Sequence, residues 1–112
     1  MTVVLALGFD LFFKPKLAEA AKRAQVELRY PALAGVEQAA AGVARVVADV
    51  SAPGVEQALV TLRKHHPDLP ILACYPHVEV ARAEAVRALG GVAVTRGRFA
   101  EHMVEALAGT LA

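Results

Sequence analysis

Several side chains capable of chemistry stand where short apolar runs end. Asp10 follows "TVVLALGF", Asp49 closes "RVVAD", Cys74 and Tyr75 close "ILACY" with His77 two residues on, and Arg96 and Arg98 flank Gly97 after "VAVT". A carboxylate in such a turn can accept a phosphoryl group, hold a hard cation, or accept backbone hydrogen bonds as a strand-end or salt-bridge acid. An imidazole such as His77 can accept a phosphoryl group or bind an anion, and a guanidinium fixes either an anion or a carboxylate. Each residue also has a structural role open to it. Asp10 can cap a following helix, His77 can be a surface residue at a helix start, and Arg96 and Arg98 can face water. No second His, Cys or carboxylate stands at ligand spacing from His77, so no zinc site is expected. No "GxxxxGK" or "GxGxxG" loop occurs, which argues against a nucleotide-binding enzyme.

The elements that must position these residues read as β-branched runs alternating with Ala-rich stretches. "TVVLAL" (2–7) is the first strand. Phe13, Leu17, Ala20, Ala21 and Ala24 recur at helical spacing after it, with Pro15 in the first turn, where its missing N–H costs nothing. "VELRY" is a second strand, residues 36–41 a short helix, and "RVVAD" a third strand. Val55, Ala58, Leu59 and Leu62 stripe a third helix that "HHPDLP" ends, and "ILACY" is the fourth strand. Ala81, Ala85, Val86 and Leu89 are expected to share the buried face of a fourth helix, stopped by Gly90-Gly91. "VAVT" is the fifth strand, and Phe99, Met103, Leu107 and Leu111 stripe the last helix. Strands apolar on both faces and separated by helices pair in parallel, and right-handed crossovers then put helices on both sides. The expected fold is a three-layer α/β/α sandwich, with chemistry at the carboxyl ends of the strands.

Composition narrows the classes of function. The 112 residues suit one domain, 1–112, and 56% apolar with 21% charged residues describes a packed globule rather than a disordered chain. A net charge of +1, with 12 basic and 11 acidic residues interspersed, leaves no electrostatic footprint for nucleic acid or an anionic membrane. The densest basic stretch, "RKHH" at 63–66, is read as a solvated helix end complementing the helix dipole. The one cysteine, Cys74, has no internal partner and lies in an apolar run, as a buried, inert thiol would. The apolar start lacks a basic leader and soon meets Asp10, so a cytoplasmic protein is expected.

The stretch "VVADVSAPGVEQALVTLRKHHPDLPILACYPH" resembles the middle of a response-regulator receiver domain: an Asp ends the third strand, Pro follows four residues later, and "PDLPIL" enters the fourth strand. "AVRALGGV" is similar to that family's entry into the fifth strand. The resemblance implies a flavodoxin-like, five-stranded parallel sheet of order 2-1-3-4-5, with the first and last helices on one face and three on the other. It also implies that Asp49 corresponds to the phosphoacceptor of two-component phosphorelays. The family places an acidic pair after the first strand, a Thr or Ser after the fourth and a Lys after the fifth. Ungapped matching finds Gly8 and Phe9, Tyr75, and Gly97 at those places.

The pattern is therefore closer to stand-alone, degenerate pseudo-receivers, with "DLFF", "PHV" and an Arg-x-Phe ending in the corresponding turns. The expectation is a signalling and protein–protein interaction role without enzyme activity, no resident cofactor, and Mg²⁺ binding no tighter than millimolar. Two alternatives stay open: a phosphoaccepting single-domain regulator using Asp49, and a small enzyme or carrier using His77 or Cys74. Expected partners are proteins, a sensor kinase or an effector, or a second copy through the fourth and fifth helices, by which receivers commonly associate. Phe12 cannot share a helix face with Phe13 and is expected to mark a partner surface. Arg96 or Arg98 is expected to reach Asp49 or Asp10 and to stand in for the missing lysine.

Overall fold

The computed structural model describes residues 1–112. Six residues, the last four buried on both faces of the sheet, form β1 (Thr2–Leu7), followed by α1 (Phe13–Ala24), β2 (Val26–Arg29) and the four-residue α2 (Val36–Ala39). The chain continues through β3 (Arg45–Asp49), α3 (Val55–His65), β4 (Ile71–Tyr75), α4 (Val80–Ala88), β5 (Val92–Thr95), α5 (Arg96–Glu101) and α6 (Met103–Ala108). All neighbouring strands pair in parallel, in the order β2-β1-β3-β4-β5.

Successive residues of a strand point to opposite faces, so each strand feeds two cores. On one side Val4, Ala6, Val47, Leu72, Cys74 and Val94 pack under α1, α5 and α6, which contribute Leu17, Phe99, Met103 and Leu107. On the other, Leu5, Leu7, Val46, Ala48, Ile71 and Ala73 pack under α2, α3 and α4 through Val36, Leu59, Leu62 and Val86. No helix is long and apolar enough to cross a membrane.

Three details depart from the reading of the sequence. The buried face of α4 is Ala83 and Val86, while Ala81 is exposed. A helix this rich in alanine has no strong stripe of its own, so the contact made by Val86 decides its rotation. The last helix bends at His102, whose φ of −128° separates α5 from α6. Hydrogen bonds run through the bend: His102 N donates to the carbonyls of Arg98 and Phe99, and its carbonyl accepts from Ala106 N. Finally, the basic end of α3 is not simply solvated. Arg63 Nε donates to the Leu89 carbonyl at 2.6 Å and Nη1 to those of His66 and Pro67, tying the ends of α3 and α4 together, and His66 Nε2 lies 2.7 Å from the Glu37 carbonyl.

Candidate functional site at the carboxyl end of the sheet

Parallel pairing sends the loops after β1, β3, β4 and β5 to one edge of the sheet. Asp49 ends β3 on the α1/α5 side, opposite Cys74 of β4 in the pairing register. It is 4% exposed and is the one charged residue inside the core. A buried carboxylate persists only where donors surround it. Asp49 Oδ1 accepts from Ser51 N at 3.1 Å and Ser51 Oγ at 2.6 Å, and Oδ2 faces Arg96 Nε at 3.4 Å.

Arg96 opens α5 directly after β5 and lies between two acids. Its Nη2 is 4.0 Å from Asp10 Oδ2, and its guanidinium carbon lies 5.5 Å from the centroid of the Phe13 ring. Phe13 belongs to an aromatic cluster in which Phe9 and Phe99 stack at 5.2 Å, with Phe13 5.4 Å from Phe9 and 6.0 Å from Phe99. The cation is thus held from below by rings and from the side by carboxylates. Asp10 works twice. Its Oδ1 accepts from Phe12 N (2.9 Å) and Phe13 N (3.2 Å), fixing the turn into α1, while Oδ2 faces Arg96.

Of the remaining sequence candidates, Arg98, Tyr75 and His77 bond to none of these groups. Arg98 turns away: its Nη2 donates to the Ala112 carbonyl at 3.3 Å, and its backbone N–H donates to Thr95 Oγ1, the N-cap of α5. Tyr75 is partly buried against the α2–α4 core, on the opposite face from Asp49. His77 is exposed and makes no hydrogen bond. Cys74 has no exposed surface, and burial above all, with Asp49 adding to it and Arg96 partly opposing, pushes its thiol up to about 12. A thiol protonated and shielded at neutral pH is a poor nucleophile. Phe12 is 85% exposed.

Gly8 and Phe9 settle what the first loop offers. Phe9 is buried in the aromatic cluster and has no group to offer a cation. Gly8 has φ +80°, and a Cβ there would lie 2.7 Å from Val55 Cγ2, 2.8 Å from Ala52 Cβ and 2.9 Å from the Asp49 carbonyl oxygen. No side chain of any kind has room at that position. Two participants were missed in the sequence, Ser51 and Phe13. The Asp-x-Ser spacing of 49–51 is the available signal for the first, since an Asx turn joins a carboxylate to the residue two further on. Ungapped matching set Gly97 in the lysine's place, whereas the cation that reaches Asp49 is the residue before it.

No family model matches the chain, and no curated protein does either. Solved structures match over nearly its whole length. A response regulator receiver domain protein from Clostridium thermocellum superposes with a TM-score of 0.80 at 11% identity, covering 98% of this chain and 94% of that one. The chemotaxis response regulator CheY4 of Vibrio cholerae gives 0.77 at 18% identity and 99% of both chains, and the non-phosphorylated HemR receiver domain of Leptospira biflexa 0.75 at 15%, covering 96% and 94%. The fold is that of response-regulator receiver domains, a five-stranded flavodoxin-like α/β sandwich.

Proposed function

We propose that this chain is a receiver-fold signalling module that acts by binding protein partners, with the Asp49–Arg96 pair standing in place of a phosphorylation-dependent contact. The observation that carries the reading is the 3.4 Å approach of Arg96 Nε to Asp49 Oδ2, with Oδ1 already taken by Ser51. An acyl phosphate forms when a carboxylate oxygen attacks phosphorus while cations neutralise the transferring group. Here a fixed guanidinium and a hydroxyl occupy the carboxylate before any phosphoryl donor arrives.

The Mg²⁺ that receivers use does not fit this donor set. Mg²⁺ asks for near-octahedral oxygen ligands, and Asp10 and Asp49 are the carboxylates at hand, both engaged with N–H groups and Arg96. Gly8 cannot be exchanged for a ligand without displacing Val55 and Ala52. A cytoplasmic location is part of this reading.

The second reading is a phosphoaccepting regulator served by a sensor kinase, and it is favoured by the position of Asp49 at the carboxyl end of β3. One experiment separates the two. The protein is incubated with acetyl phosphate and Mg²⁺, and its intact mass is recorded beside that of Asp49→Asn. The expected result is no phosphoryl adduct on either. An adduct on the parent that Asp49→Asn lacks would overturn the first reading in favour of the second.

A further inference from the structure

The amino end of the sheet, opposite the Asp49 site, holds a second feature. The starts of β3, β4 and β5 and the end of α6 border a cavity of about 180 Å³. Its apolar walls include Val46, Ile71, Leu72, Val92, Ala106 and Leu111, and Arg45 is the one charged residue that lines it. An apolar cavity of about 150 Å³ holds a benzene ring, so this one has room for such a ring carrying a small polar group.

Arg45 is held in place but short of acceptors. Arg45, Arg63, Arg82 and Arg96 are the half-buried arginines. Arg63 donates to three carbonyls, Arg82 meets Glu79 and the Val50 carbonyl, and Arg96 meets Asp49 and Asp10. Arg45 makes one hydrogen bond, from Nη1 to the Leu107 carbonyl at 2.7 Å, and pairs with no carboxylate. Gly109 lies against its guanidinium, where a Cβ would fall 2.6 Å from Nε, so the cation is positioned before any ligand arrives. A partly desolvated guanidinium with free donors attracts an anion, and its planar fork suits a carboxylate. The apolar walls call for an organic body on that anion.

We infer that this cavity binds a small aromatic monocarboxylate of benzoate size, with its carboxylate on Arg45 and its ring against the starts of β4 and β5 and the end of α6. Inorganic phosphate would leave the apolar walls unfilled, and a neutral ring would leave the free N–H groups of Arg45 without an acceptor. The site is separate from Asp49 and Arg96 and does not depend on whether Asp49 accepts a phosphoryl group. A ligand there fastens the starts of three strands to the last helix.

Titration of the isotope-labelled protein with sodium benzoate, followed by two-dimensional amide NMR spectra, tests the inference. Saturable shifts are expected at Arg45, Leu72, Val92 and Gly109, with a Kd of roughly millimolar or tighter. Benzyl alcohol has the ring without the charge, and inorganic phosphate the charge without the ring. Each should bind about tenfold more weakly than benzoate. Arg45→Gln should weaken benzoate by about tenfold and leave benzyl alcohol unchanged, while Arg45→Lys, which keeps the charge, should lose less. The same spectra show whether each variant is folded, and the comparison of the three probes on the parent stands without the variants. The inference is overturned by the absence of saturable shifts at these residues, by equal binding of benzoate and benzyl alcohol, or by phosphate binding as well as benzoate does.

Discussion

Arg96 and Asp49 belong to strand ends that are not neighbours: β4 runs between β3 and β5, yet Nε of one lies 3.4 Å from Oδ2 of the other. The guanidinium reaches across the end of Cys74's strand. This one contact couples the ends of β3 and β5 across β4, and because Nη2 faces Asp10 it extends the coupling to the β1–α1 turn.

A double-mutant cycle measures that coupling. Asp49 is nearly buried while Arg96 is partly exposed, so the pair should contribute about 1–2 kcal/mol, above the roughly 0–1 kcal/mol of fully exposed pairs. The cycle combines Asp49→Asn with Arg96→Gln in urea denaturation. The companion cycle with Arg98→Gln should give coupling near zero, since Arg98 bonds the Ala112 carbonyl. Equal coupling in both cycles would contradict the assignment of Arg96.

Gly8 and Gly42 both have positive φ, +80° and +75°, but they differ in surroundings. A Cβ on Gly42 meets nothing within 4 Å, so Gly42→Ala should cost only the left-handed backbone penalty, about 1–2 kcal/mol. Gly8→Ala adds overlap with Val55 and Ala52 and should cost about 2–5 kcal/mol. Chemical denaturation of the two variants should show a clear gap. Similar losses would mean that the β3–α3 turn yields more readily than its packing implies.

Cys74 should be unreactive in the folded protein. Its thiol pKa is raised from an ordinary value near 9 to about 12, mainly by burial. Because the unfolded thiol ionises first, its contribution to stability is complete below about pH 9 and declines as pH rises toward about 12. A disulfide reagent at neutral pH should label Cys74 only at the rate of unfolding. The stability difference between the parent and Cys74→Ala should shrink above pH 9, whatever its value at pH 7. Rapid labelling of the native protein would show an open path to the thiol.

Thr95 caps α5 by accepting the Arg98 N–H on its hydroxyl at 3.2 Å. Thr95→Ala should therefore cost about 1 kcal/mol, read from the shift in the denaturation midpoint. The same change loosens the turn that aims Arg96, so the Asp49–Arg96 coupling should fall in that background. Unchanged coupling would show that the aromatic cluster alone positions the guanidinium.

The sequence by itself determined the order of strands and helices, because burial on both faces of a parallel sheet demands apolar runs such as "RVVAD" and "ILACY", and crossover helices must show one stripe, as Val55, Ala58, Leu59 and Leu62 do. It also put Asp10, Asp49 and the arginines at the correct edge, since all strands point one way. Only the tertiary structure decided which arginine meets the acid. Arg96 and Arg98 are equally cationic, and the choice depends on where the first turn of α5 lies over Phe13. The rotation of α4 was likewise hidden, because alanines on several faces give no moment to read. The crowding at Gly8 and the cavity beside Arg45 belong to the same class: each relates residues distant in sequence, and their separation is fixed only when the sheet assembles.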